Sequence, residues 1–306
     1  MKKRLPLLLL LPCLLSGFTP IGGAPDPGGA APPRAPEKTV HDDIGRRVRV
    51  PLHPRRIVSL APSVTETLFA LGAGDALVGV TDFCDYPAAA RSKARIGGMV
   101  NPSWEAVLQL HPDLIVATTS GNDRSVVARA EATRLPLYFL DSPDIPRLLE
   151  SILKLGELLD STASARVLHD SLTARLGQLE RRVSRGIRPR VLYLVWGEPI
   201  VVPGRGTFLT DALLRSGCDS VTSGGPPGWP MYDLESVLVL DPGWILASAQ
   251  NATLLDGLKE RPGWKEMAAV RRGRLITVDP AIERPSPRVI DAMEQLRELM
   301  ETGAKK

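Results

Sequence analysis

Aromatic residues are scarce in this chain of 306 residues, with five Phe, five Trp and four Tyr, so the position of each Trp and Tyr carries information. Cysteine is scarcer still. Cys13 lies in the leader, and Cys84 and Cys218 are far apart and match no metal-ligand spacing. They could pair, but nothing in the sequence requires it. The four His residues, His41, His53, His111 and His169, also lack paired spacing, so a dedicated metal site is not expected. A large excess of charge is missing too. The formal net charge is +4, Lys2, Lys3 and Arg4 supply much of it, and Arg elsewhere is interspersed with Glu and Asp. That pattern excludes a nucleic-acid footprint.

Catalytic signatures are lacking as well. Gly204 and Gly206 sit in a Pro-Gly-Arg-Gly-Thr run without the Gly-Lys-Ser/Thr of a phosphate loop. Gly72 and Gly74 close an apolar helix instead of opening one, against a dinucleotide fingerprint. Ser59, Ser63 and Ser120 stand in no nucleophile elbow. No enzyme, catalytic residue or catalytic cofactor is expected.

Export signals are present. A basic head is followed by an apolar run from Leu5 through Leu15, too short and Pro-interrupted to span a bilayer. Residues 1–24 read as a signal peptide, with Gly22, Gly23 and Ala24 suited to cleavage. Lipid attachment at Cys13 is the weaker alternative, because Pro12 stands where a small residue is expected. Residues 25–53 read as a Pro/Gly/Ala-rich flexible tether and a short lead-in, with Val48, Val50 and Leu52 alternating as in a strand.

An internal repeat organises the remainder. The segment from Glu105 to Thr118 matches that from Glu235 to Ser248 at seven of fourteen positions. Each copy reads as a short helix, a Pro break at Pro112 or Pro242, and an apolar strand. Upstream of each lies another strand, beginning at Arg56 or Arg190, and a helix that stops at Gly72 or Gly217. Ser63 and Glu66 have the spacing of a capping box. Further strands are expected at Leu137–Leu140 and Leu275–Val278. The fold class is α/β, with two Rossmann-like lobes of mostly parallel sheet at 54–160 and 187–303. Residues 161–186 carry Val167, Leu168, Leu172, Leu176, Leu179 and Val183 at helical spacing, predicting one long helix between the lobes.

Ligands of open α/β sheets collect beyond the carboxyl ends of the strands. There the sequence places Asp82 to Pro87, Thr118 to Asn122, Trp196 to Glu198, Gly228 to Pro230 and Asp279 to Arg284. This mixture of aromatic, amide and charged groups suits a large polar organic ligand. Trp104, Trp244 and Trp264 sit near the helical or strand repeats and are expected to pack. Glu105 and Glu235 each open an equivalent helix, where a carboxylate is favourable by itself. Their symmetry would also present one acidic knob per lobe.

These motifs, in this order, resemble the periplasmic cobalamin-binding proteins of ABC importers, within the helical-backbone binding proteins for cobalamin, haem and iron-siderophores. The likeness runs from Pro54 to Met300. It rests on Arg56 to Glu66, Asp85-Tyr86-Pro87, the Glu105 and Glu235 units, Trp196-Gly197, Trp229-Pro230 and the Glu283 to Arg288 motif. The resemblance implies a class III periplasmic binding protein, monomeric, with one ligand between two lobes joined by a backbone helix. It implies that Tyr86 and Trp229 line a corrinoid site, that Arg284 is a cleft arginine, and that Asp279 matches a cleft aspartate displaced by one residue. Trp196 joins them from the strand-end reading. Glu105 and Glu235 match glutamates that dock on a permease dimer, whose ATPase subunits supply the energy. Met99 and Thr118 depart from the family by replacing cleft Trp residues, and the family disulfide has no counterpart, since Cys218 is shifted. Met99 would pack on a corrin face or approach an iron centre as a soft ligand. Cobalamin or a related corrinoid is the expected ligand. Haem or a ferric siderophore is the alternative, and a surface protein reusing the fold is a further one.

Overall fold

The computed structural model describes residues 36–303. The chain starts with a hairpin of β1 (Glu37–His41) and β2 (Arg47–Pro51), paired antiparallel. The Asp42 carboxylate closes its turn by accepting from Arg46 N, Nε and Nη2. Val48 and Val50 are buried in the core. Asp43 accepts from Ser151 and Lys154 and so ties the hairpin to a neighbouring helix. The lead-in up to residue 53 is therefore folded onto the first lobe, with the expected strand at Val48 and Val50 present as β2 and β1 added as its partner, while residues 25–35 of the tether reading and the signal peptide lie outside the described residues.

The N-terminal lobe follows as β3 (Ile57–Ser59), α1 (Pro62–Ala70), β4 (Leu77–Val80), β5 (Ala94–Arg95), α2 (Trp104–Gln109), β6 (Leu114–Thr118), α3 (Ser125–Thr133), β7 (Leu137–Leu140) and α4 (Ile145–Leu158). Its five-stranded sheet has the order β5-β4-β3-β6-β7, with every pairing parallel. α5 (Thr162–Ser184) then carries the chain across. The C-terminal lobe comprises β8 (Arg190–Leu194), β9 (Trp196–Gly197), β10 (Ile200–Val201), α6 (Phe208–Arg215), β11 (Asp219–Ser220), β12 (Met231–Tyr232), α7 (Leu234–Leu240), β13 (Trp244–Ser248), α8 (Thr253–Asp256), α9 (Ala268–Arg271), β14 (Leu275–Val278) and α10 (Val289–Gly303). Its parallel sheet has the order β11-β8-β13-β14, and β9, β10 and β12 form a small antiparallel sheet beside it.

The repeat is visible in fine detail. Gly72 and Gly217 end α1 and α6 at φ +79° and +84°, a conformation a Cβ disfavours. α2 and α7 give way to His111 and Asp241, at φ 45° and 42°, immediately before Pro112 and Pro242. The first residue of each preceding strand unit answers the exposed helix end. Arg56 donates to the carbonyls of Leu110 and His111, and Arg190 donates to Leu240. Both arginines place positive charge at a helix C-terminus, where the dipole favours it.

Each sheet has helices on both faces. The outer faces bury separate apolar clusters, one around Ile96, Ile115 and Phe139 and one around Leu192, Ile245 and Trp264. The inner faces share a single cluster that runs from Leu68 and Ile152, through Leu172 and Leu179 of α5, to Leu213 and Met293. α5 has 23 residues and so is ~35 Å long. Leu172, Leu176, Leu179 and Val183 form its buried stripe, but Val167 is 72% exposed. Val167 lies one residue off the i, i+4 row that includes Leu168, which puts it a quarter-turn away from the core. Ion pairs fasten α5 to α10 (Arg175 to Asp291 and Glu294, Arg182 to Glu301) and to α6 (Glu180 to Arg215). α4 packs so closely on α5 that a Cβ at Gly156 would sit 2.2 Å from the Ala165 methyl. The joining helix is thus bolted to both lobes.

Trp244 and Trp264 are buried and Trp104 packs against the outer cluster of the N-terminal lobe, as expected. Cys84 and Cys218 are both buried, free thiols, one in each lobe.

Candidate functional site between the lobes

α1 begins with Pro62 at its first turn, where the missing N–H costs nothing, and is buried from Pro62 to Leu68. No side chain caps it, which corrects the capping-box reading of Ser63 and Glu66. With α1 sunk in the protein, the Glu66 side chain is only 1% exposed. A buried carboxylate is costly unless paired, and Glu66 finds its partners on the other lobe. Oε1 accepts from Arg284 Nη1 at 2.9 Å and Arg288 Nη2 at 3.2 Å, and Oε2 accepts from Ser286 Oγ at 2.6 Å and Arg288 Nε at 3.0 Å.

The loops leaving β4 and β14 meet around this centre. Arg284 Nη1 also donates to Asp85 Oδ1 at 3.0 Å. Arg288 lies with its guanidinium carbon 3.8 Å from the centroid of the Tyr86 ring, within cation–π range. Arg95 Nη1 donates to the carbonyls of Thr81 and Cys84, and Arg91 to that of Asp85, holding the loop that carries Asp85 and Tyr86. Asp279 caps the turn before Glu283 by accepting from Ala281 N, and its charge acts on Arg288.

Charge follows this geometry. Burial pushes the Asp85 carboxyl up, but the hydrogen bond and charge of Arg284 outweigh it and hold the group below the ordinary 3.8. Burial disfavours the charged form of Arg284 and Arg288, and their carboxylate partners more than reverse that. Behind the site, the Tyr193 hydroxyl donates to Glu283 Oε1 at 2.8 Å. Burial raises both groups above their ordinary values.

The structure brings Tyr86, Asp279 and Arg284 to this one cluster. Met99 belongs to the N-terminal lobe, where Asn122 fixes it. Asn122 Nδ2 donates to the carbonyls of Met99 and Leu60, and Oδ1 accepts from Thr118 N. Met99 Cε also lies against Gly121, so that a Cβ there would displace the end of the Met99 side chain. Thr118, at the end of β6, is buried. Trp196 and Trp229 belong to the small antiparallel sheet region of the C-terminal lobe. Trp196 pairs with Val201 and donates its indole N–H to Glu198 O, and Trp229 lies two residues before β12. Trp196, Trp229 and Tyr86 are 58%, 53% and 45% exposed, large apolar areas left open to a ligand.

Glu105 and Glu235 occupy the same place in α2 and α7, the second helical residue, and both are exposed. Ser103 and Asp233 cap the two helices through Ala106 N and Ser236 N, so the capping need is met without the glutamates. Leu108 and Leu238 are exposed one turn further on.

Sequence reasoning missed Glu66, Asp85 and Arg288 as site residues. The signal available was a lone carboxylate inside an apolar helix, with Ser286 and Arg288 as unassigned polar partners downstream beside the nominated Arg284. Among the described residues no group of His, Cys, Asp and Glu is arranged to hold a metal ion. Arg284 and Arg288 present guanidinium groups beside the half-exposed ring of Tyr86, a combination suited to holding a polar organic ligand.

Two parallel-sheet lobes whose strand-end loops meet, joined by one backbone helix, are the architecture of class III periplasmic binding proteins. The periplasmic binding protein family model matches residues 57–282, and the chain belongs to that family. It is similar to an ABC transporter substrate-binding lipoprotein of Bacillus subtilis, YvrC, at 28% identity over 312 residues, 97% of each chain. Among solved structures, the periplasmic vitamin B12 binding protein BtuF of Vibrio cholerae superimposes with a TM-score of 0.74 at 26% identity, covering 84% of this chain and all of that one. The periplasmic heme-binding protein RhuT of Roseiflexus superimposes with a TM-score of 0.73 at 25% identity, covering 80% and 97%. The protein is the substrate-binding component of an ABC transporter, not an enzyme, and works outside the cytoplasm with a permease and its ATPase. No helix among the described residues is long and apolar enough to cross a membrane.

Proposed function

We propose that this chain captures cobalamin or a related corrinoid between its lobes and hands it to the permease. The carrying observation is the interlobe cluster in which Arg284, with its free edge, lies beside the half-exposed Tyr86, and in this reading the exposed ring of Trp229 on the C-terminal lobe contacts the same ligand. A corrinoid presents a broad apolar macrocycle rimmed with amides, and rings and guanidinium forks complement those features. Similarity to the vitamin B12 binding protein of Vibrio cholerae supports the same ligand. Met99 and Trp196 complete the lining in this reading, and Asp279 acts through Arg288. Glu105 and Glu235 dock on basic pockets of a dimeric permease, and the binding protein itself works as a monomer. Export proceeds through the signal peptide at 1–24, and the lipoprotein relative gives attachment through Cys13 as the alternative.

Haem is the second reading, favoured by the similarity to RhuT. Calorimetric titration of the mature protein with cyanocobalamin, haem and a ferric siderophore decides between them. Sub-micromolar binding of cyanocobalamin at one site per chain is expected. Tight binding of haem or siderophore alone would move the ligand while keeping the transport role.

A further inference from the structure

We infer that Asp85 is a specificity residue, a built-in counter-ion that makes the arginine edge of the cleft select neutral hydrogen-bond acceptors over carboxylates. The inference rests on the corrinoid reading and sharpens it, since the corrinoid periphery is made of amides.

Two positive groups, Arg284 and Arg288, face two carboxylates, Glu66 and Asp85, within hydrogen-bond reach. The four charges cancel. Asp279 adds a further negative charge near Arg288. The two carboxylates bonded to arginine differ in kind. Glu66 is sealed in, holds both arginines and Ser286, and cannot leave without stranding them. Asp85 is 52% exposed and held by one contact, at the rim of the cluster. Among the described residues, no acceptor lies on Nε or Nη2 of Arg284. Those N–H groups remain as donors to whatever enters beside Tyr86.

An amide carbonyl can accept from them without adding charge. A carboxylate would bring a third negative group within a few ångströms of Asp85 and Glu66, in a partly desolvated site where like charges repel strongly. The attraction of the carboxylate to Arg284 is already spent on Asp85. The cleft therefore discriminates by charge at a position where shape alone would accept amide and acid equally.

The test compares cyanocobalamin with a derivative in which one peripheral amide is hydrolysed to the carboxylate, and with haem as a dicarboxylate, by calorimetry at fixed ionic strength. Asp85→Asn removes the charge at constant shape, and Asp85→Glu keeps the charge. The wild type is expected to prefer the amide form at least ~10-fold. Asp85→Asn should bring the ratio within ~3-fold by tightening the carboxylate form, and Asp85→Glu should retain most of the preference. Thermal melts confirm that each variant is folded. Corrinoid binding with no preference in the wild type, or an unaltered ratio in Asp85→Asn, overturns the role of Asp85 and leaves the corrinoid reading standing. Haem bound in place of both corrinoids, or no binding by folded wild type, overturns that reading and this inference together.

Discussion

Glu66 on the N-terminal lobe receives both Nε and Nη2 of Arg288 on the C-terminal lobe, at 3.0 and 3.2 Å. The pair spans 222 residues of sequence. It is the centre of an interlobe network in which Glu66 also holds Arg284 and Ser286. Removing the carboxylate would leave two guanidinium groups together without a buried partner. Glu66→Ala is expected to lower stability by about 3 kcal/mol or more, the range for breaking a buried ion pair from one side. Urea denaturation measures it. A loss under about 1 kcal/mol would mean that the network is dispensable.

The open rings should carry much of the ligand affinity. Tyr86→Ala and Trp229→Ala are each expected to weaken cyanocobalamin binding ~10-fold or more, which is about 1.4 kcal/mol. Tyr86→Ala also removes the face against which Arg288 stacks. Intact affinity in both variants would move the site away from these rings.

Glu105 and Glu235 stand free of their own helix caps, on matching exposed positions. Charge reversal of both to Lys should depress uptake by cells at least ~10-fold while calorimetric ligand affinity stays within experimental error. Unchanged uptake would refute permease docking through this pair.

Burial raises the Glu283 carboxyl above its ordinary 4.5 despite the hydrogen bond from Tyr193. Between the ordinary and the raised value, the native state binds more protons than the unfolded state. Stability from this group therefore falls as pH rises through that window. Glu283→Gln removes the titration, so the stability of the variant relative to wild type should increase from pH 4 to pH 7. A constant difference in denaturation free energy across that range would contradict the assignment.

Burial pushes the Cys218 thiol up to about 12, and Cys84 is equally enclosed. Neither should react with a thiol reagent at neutral pH until denaturant is added. Both should then react, as free thiols. Rapid labelling of the native protein would show that these sites open.

Much of the fold was legible because it is written locally. Leu137–Leu140 and Leu275–Val278 are the strands their apolar runs predict, and the long helix appears at Thr162–Ser184. Pro112 and Pro242 mark the ends of helices in both repeats because a ring without an N–H cannot continue them. The hairpin at 37–51 was legible only in its second strand. The first owes its conformation to pairing and to the Asp43 contacts with Ser151 and Lys154, which lie more than a hundred residues away.

The site was harder to read, and Glu66 shows why. Ser63 and Glu66 have capping-box spacing, but spacing carries no information about which way a helix is buried. Tyr86 and Arg284 could be nominated from motif and position, whereas their shared dependence on Glu66 and Asp85 could not.

The sequence by itself determined the two-lobed α/β plan, the strand and helix periods, and the repeat that places Glu105 and Glu235 in equivalent settings. Those properties depend on neighbours within a few residues. Only the tertiary structure decided that a carboxylate in the first lobe would neutralise arginines of the second. A buried charge takes its meaning from the groups that replace its water, and here those groups come from the opposite lobe.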